Sequence, residues 1–195
     1  MIYFKNIRWK NLLSTGNQFT EIQLNKTSTT LIVGENGSGK STVLDALCFG
    51  LFSKPFRRIN RPQLINSIND GGLLVEIEFD VGSKSYMVRR GIKKNIFEIF
   101  VNGQRLNQDA KTQDSQEYLE KTILKLNYKS FTQIVLLGAN HYIPFMQLKS
   151  QDRKGIVEDL LDIQIFSVIN GLLKYNISEN KEEGQNIEVN IKLTS

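Results

Sequence analysis

The run Thr29-Thr30-Leu31-Ile32-Val33-Gly34-Glu35-Asn36-Gly37-Ser38-Gly39-Lys40-Ser41-Thr42 constrains this chain more than any other stretch, because Gly34 to Ser41 satisfies the phosphate-binding pattern G-x-x-x-x-G-K-[ST]. Both flanks fit the pattern. Leu31 to Val33 is an apolar, β-branched run that predicts a strand feeding the glycines; Val43, Leu44, Leu47 and Leu51 predict a helix of about Ser41 to Phe52. Gly34, Gly37 and Gly39 can adopt backbone angles closed to other residues, so successive amides can form a concave anion cradle. The cradle opens onto a helix N-terminus, where unpaired N–H groups and the dipole favour phosphate. Lys40 adds a full charge for the terminal phosphates, and the Ser41 hydroxyl is the expected magnesium ligand. The predicted ligands are therefore ATP, or another nucleoside triphosphate, and Mg2+, held by Gly34, Glu35, Asn36, Gly37, Ser38, Gly39, Lys40, Ser41 and Thr42.

A chain of 195 residues, 40% apolar and 9% aromatic, can bury a core as one domain or as one and a half small lobes. Nothing in it reaches the apolar length of a membrane span, and Met1 to Lys10 alternates apolar with polar residues, unlike a signal peptide; a soluble, cytoplasmic protein with no membrane partner is expected. The single cysteine, Cys48, cannot form an internal disulfide and reads as a small buried apolar residue. One cysteine and one histidine exclude a zinc cluster built from this chain alone. The net charge of +5 is compatible with a polyanionic partner and also serves solubility.

Ile2, Phe4 and Ile7 to Trp9, set among Lys5, Arg8 and Lys10, predict a strand with one wet face, and Phe19, Ile22 and Leu24 predict a second that pairs with it. After the helix, Ser53 to Pro62 contains two prolines, four basic residues and no acid. Lys54, Arg57, Arg58 and Arg61 can track a nucleic-acid backbone, or hold the loop by pairing with carboxylates. Leu74 to Asp80 alternates, turns at Gly82-Ser83 and resumes at Tyr86 to Val88; Asn102-Gly103 then marks a second hairpin between Phe97 to Val101 and Arg105-Leu106. So many antiparallel strands predict a mixed α/β lobe in which an antiparallel sheet covers a P-loop core. Asp114-Ser115-Gln116-Glu117 predicts a helix start, with the helix running to about Asn127. Ile134 to Leu137 predicts a short buried strand, and Ser150 to Asp162 a further helix. From Ile163 the apolar spacing loosens and the chain reads as a helix leaving the globule.

Hydrolysis needs an apolar strand ending in aspartate and a residue that positions water. Neither is found: the acids of Leu73 to Asp80 alternate, Glu158-Asp159 lies in a helical pattern, and no guanine-reading N-K-x-D is present. Lys10-Asn11-Leu12-Leu13-Ser14, the glycine loop and Leu44-Asp45-Ala46-Leu47 nonetheless resemble the N-terminal half of the SMC-like ABC ATPases of double-strand-break repair, the SbcC and Rad-fifty proteins. Ser130 to Leu137, Phe145-Met146 and Arg153 to Asp162 resemble the stretch that precedes the coiled coil of that family. Its bacteriophage members are the most similar, through Phe49 to Arg57, Gln63 to Ser67 and Val157 to Leu161.

The resemblance implies a P-loop NTPase of ABC/SMC head type, its N-terminal lobe in residues 1–162 and the start of a coiled coil in 163–195. It adds Asn11 and Ser14 to the nucleotide site. It implies a homodimer of ATPase heads, an exonuclease partner and DNA as ligand. It also explains the missing motifs, which in the family lie in a C-terminal half beyond the coil, so the isolated chain is expected to be inactive as an ATPase. Where the family carries a water-positioning glutamine this chain has Gly138-Ala139-Asn140-His141, so that Gln133, Asn140 and His141 are the candidates for its role. Rival readings are a nucleotide-dependent DNA-binding or tethering module without turnover, and a P-loop kinase with an arginine lid.

Overall fold

The computed structural model describes residues 2–69, 71–106, 112–136, 143–161 and 163–194. Its chain divides into two compact units, Met1–Gln147 and Leu148–Ser195.

Among the described residues the first unit is built on six strands: β1 (Ile2–Lys10), β2 (Thr20–Gln23), β3 (Leu74–Val81), β4 (Lys84–Gly91), β5 (Phe97–Val101) and β6 (Gln104–Arg105). They lie in the order β2-β1-β3-β4-β5-β6, every neighbouring pair antiparallel. Both predicted hairpins form. Asn102 and Gly103 have φ of 49° and 80°, the left-handed pair that a two-residue turn with the twist of its strands requires.

Alternation gives the sheet two faces. Ile7, Trp9, Val75, Ile77, Phe79, Val88 and Ile99 enter the core, where α1 (Thr42–Phe52) covers them with Ala46, Phe49 and Leu51. The helix comes close because Gly50 has no side chain; a Cβ there would meet the Ile77 side chain and lie 3.1 Å from Val75 Cγ1. Cys48 is fully buried in this helix, as expected, and burial raises its thiol pKa. On the outer face a ladder of alternating charge crosses the strands. Arg8 pairs with Glu76, Glu76 with Arg89 at 2.9 Å, Arg89 with Glu98 at 3.5 Å, and Glu98 with Arg105 at 3.4 Å.

α2 (Thr112–Tyr118) runs into a π-helical turn, Leu119–Leu124, that buries Leu119, Ile123 and Leu124 and ends at Lys125 with φ 52°. The predicted buried strand at Ile134 to Leu137 is replaced by α3 (Tyr128–Ile134), with Leu137 outside the described residues. Asn127 decides the matter by capping this helix, its side chain accepting from the amides of Lys129 and Ser130, while Phe131 enters the core and Ile134 and Val135 stay exposed. A short apolar run cannot by itself separate the two alternatives.

The predicted strand at Leu31 to Val33 is also absent. Residues 29–35 carry no regular structure, and Leu31 and Val33 are 85% and 80% exposed. Among the described residues, Thr30 to Val33 make no backbone hydrogen bond. A strand needs a neighbour, and the strands among the described residues all pair within the one sheet β2-β1-β3-β4-β5-β6.

The second unit contains α4 (Ser150–Leu161), with Ile156 and Asp159 buried, and the long α5 (Gln164–Thr194). No helix among the described residues is long and apolar enough to cross a membrane.

Candidate functional site

The glycine loop turns as its sequence requires. Gly37 and Gly39 have φ of +88° and +93°, and a Cβ on Gly34 would lie 2.6 Å from Ser38 Oγ. Ser38 N–H donates to Glu35 O and Thr42 N–H to Gly39 O. Among the described residues the amides of Gly37, Gly39, Lys40 and Ser41 donate to nothing, which leaves a set of donors at the start of α1. Ser41 is the helix N-cap, but its hydroxyl makes no capping hydrogen bond and so keeps its lone pairs for another partner. Lys40 Nζ folds back on the loop and donates to Gly34 O and Glu35 O, both at 2.7 Å. These groups fit a triphosphate and magnesium: free amides and a flexible cation for the anion, an unspent hydroxyl for the metal. Glu35, Asn36, Ser38 and Thr42 complete the turn, with Thr42 buried as the first residue of α1.

Asn11 and Ser14 behave differently from each other. Asn11 is buried, with φ 54°, and its amide is spent on the fold: Nδ2 donates to Asn17 Oδ1 (3.0 Å) and Gly72 O (3.2 Å), and Oδ1 accepts from Asn69. It ties the turn after β1 to the segment before β3. Ser14 is exposed and lines an open cleft of about 660 Å³ with Leu13, Gln63 and Asn66.

The basic loop after α1 is fastened from below by Asp45, a fully buried carboxylate in the first turn of α1. Its Oδ1 accepts from the amides of Phe56 and Arg57 at 3.2 Å each, and its Oδ2 from the Arg57 guanidinium at 2.7 Å. Arg57 thus holds the loop to the helix that follows the glycine turn. Lys54 Nζ lies 5.3 Å from the Tyr128 ring centroid, and Arg61 5.9 Å from that of Phe49. Arg58 is exposed and unpaired among the described residues. Tyr128 donates to Pro55 O at 2.8 Å, and burial, with the nearby Cys48 and Asp45, pushes its phenol up to about 12.

The other end of α1 is held by Arg90 of β4, a residue the sequence did not single out. It donates to Gly50 O (2.8 Å), Leu51 O (3.4 Å) and Gln116 Oε1 (2.6 Å), supplying the cation that the last turn of α1 lacks. Burial, aided by the Arg61 charge and opposed by Glu120, pulls this guanidinium down to about 9. Asp45 was legible only as one acid in an apolar helix; Arg90 gave no signal beyond its place in a strand pattern.

Of the water-positioning candidates, Gln133 lies on α3 with a buried Oε1 that has no hydrogen-bond partner. Asn140 and His141 lie outside the described residues.

The sequence matches a family described as AAA domain over residues 6–194. It is 45% identical over 179 residues to "Exonuclease subunit 2" of Escherichia phage RB69, covering 92% of this chain and 32% of that protein. It is 30% identical to the "DNA double-strand break repair Rad50 ATPase" of Methanococcus maripaludis, covering 82% of this chain and 16% of that protein. The chain therefore spans about a third or less of the length of these relatives. Among solved structures it is similar to the Smc head domain with a coiled coil and joint from Pyrococcus yayanosii, with a TM-score of 0.63 and 21% identity over 98% of this chain and 38% of that one. At that identity the likeness concerns the fold, an SMC-type P-loop head.

Proposed function

The chain belongs to the AAA-domain family, and on that premise we propose that it is the ATP-binding amino-terminal part of an SMC-like ATPase head that serves DNA recombination and repair. The observation that carries the reading is the donor set at the start of α1: four unpaired amides in a glycine turn, a flexible lysine and an uncommitted serine hydroxyl.

With ATP and magnesium bound, Gly37 to Ser41 would cradle the phosphates. Lys40 would exchange its two loop carbonyls for phosphate oxygens, and Ser41 would hold the metal, which supplies charge neutralisation. Residues 1–162 form the head portion in this reading, and 163–195 begin a coil. Phe166, Ile169, Leu173 and Ile177 of α5, all exposed, follow one another at three- and four-residue intervals and present a face for a partner helix. The catalytic carboxylate and signature come from the rest of the protein and from a second head, and head closure signals to an exonuclease partner. The chain alone does not turn ATP over; Gln133, Asn140 and His141 remain the candidates for positioning water once the site is complete. Arg58, with Lys54 and Arg61 beside it on a loop set by Arg57, binds duplex phosphates.

Calorimetric titration with Mg-ATP tests the core of this reading. Lys40→Ala should weaken binding at least about tenfold, the worth of a charge-assisted hydrogen bond, and Ser41→Ala should reduce the dependence on magnesium. Unchanged affinity in both variants overturns the site.

A further inference from the structure

On the outer face of the sheet, away from the glycine loop in sequence, an aromatic ring and a cationic pocket share one lysine. Phe19 immediately precedes β2 and is 42% exposed. The Arg8 guanidinium carbon lies 5.0 Å from its ring centroid and Lys10 Nζ 5.3 Å from it. Lys10 also lines a cavity of about 210 Å³ with Asn17, Arg89, Lys94 and the backbone at Gly72, and no carboxylate is among the lining residues.

The cations fall into two groups. Arg8 and Arg89 are fixed by the two oxygens of Glu76, a carboxylate whose side chain is 6% exposed, so they are held in place before any ligand arrives. Lys10 and Lys94 make no ion pair among the described residues and contribute uncompensated positive charge at this end of the ladder.

We propose that this surface binds single-stranded nucleic acid, a base packing on the exposed part of Phe19, whose ring carries Arg8 and Lys10, while the adjoining phosphate enters the Lys10, Arg89 and Lys94 pocket. A partly exposed ring with cations over it and an anion pocket next to it is a combination that holds a strand without reading its sequence, since every base has a π-face and every nucleotide a phosphate. A duplex offers phosphates but keeps its base faces stacked inside, so it leaves Phe19 unused. The proposal takes from the function above only the nature of the polyanion; it does not involve Lys40.

Fluorescence anisotropy of a labelled oligothymidylate with the full 195-residue chain provides the test, run beside Mg-ATP titration and thermal melting. Phe19→Ala should lower affinity about tenfold, Phe19→Trp should restore it, and both should melt as the parent does. Lys10→Ala with Lys94→Ala should flatten the log–log salt dependence by roughly 0.7 for each phosphate no longer neutralised. Affinity unaltered by Phe19→Ala overturns the proposal, as does a duplex bound as tightly and with the same sensitivity to Phe19, or displacement by polyglutamate as effective as by the oligonucleotide. If the parent binds Mg-ATP but no oligonucleotide, the surface is refuted and the nucleotide site stands. If it binds the oligonucleotide through Phe19 but no Mg-ATP, the reverse holds.

Discussion

In the antiparallel sheet, β3 is paired along both edges, its inner face packed under α1 and its outer face laced by ion pairs. Elsewhere in the same unit, Leu31 to Val33 have apolar side chains of equal quality and, among the described residues, none of the partners: no ladder, no covering helix, and exposure at every position. Apolar, β-branched sequence is thus not sufficient for a strand. The sheet closes on residues this chain supplies, whereas the stretch before the glycine loop has backbone donors and acceptors that no described residue meets and that stay open to solvent.

The largest expected effect follows directly. Amides of Thr30 to Val33 should exchange hydrogen at nearly unprotected rates in this chain, while those of β3 exchange only with global unfolding, a gap on the order of a thousandfold or more. Mass-resolved exchange showing slow amides at 30–33 in the chain alone would break the comparison.

Asp45 sharpens it at the boundary between the two regions. Asp45→Ala leaves the Phe56 and Arg57 amides and a guanidinium without their acceptor and should cost about 2–3 kcal/mol of stability by denaturant titration. Lys40→Ala, in the glycine loop, should change stability by no more than about 0.5 kcal/mol while damaging nucleotide binding. A similar division separates two glycines. Gly50→Ala pushes a methyl into Val75 and Ile77 and should cost about 1–3 kcal/mol. Gly37→Ala, at φ +88° in open space, should cost about 1 kcal/mol and act on Mg-ATP affinity instead.

The smallest effect is one of pH. The Tyr128 phenol is raised to about 12 in the fold from an ordinary 10, so the folded state favours its protonated form. Its contribution is fully present below about pH 10 and is lost as the pH rises toward 12. Ultraviolet difference titration should show one of the six tyrosines ionising late, and Tyr128→Phe should remove that late step.

Much of this was legible in the residues themselves. The hairpins at Gly82-Ser83 and Asn102-Gly103, the span of α1 and that of α4 follow from short-range turn chemistry and periodicity, which act over a few residues and are written in order along the chain. The turn of the glycine loop was legible for the same reason: its geometry is imposed by the glycines. The strand expected at Ile134 failed because a helix cap upstream, Asn127, outweighed four apolar residues. The strand expected at Leu31 failed because strand formation is a property of a pair.

The sequence by itself determined where the chain turns, where its glycines leave amides unpaired, and which faces are apolar, because these depend on the angles and side chains of near neighbours. Only the tertiary structure decided what those elements meet. It placed Asp45 under the basic loop, Arg90 against the end of α1, and Phe19 beside Arg8 and Lys10. Each of these meetings joins one element to another. Their energies come from burial and ion pairing, which no local pattern encodes, and they exist only once the fold and its sheet register have brought the partners together.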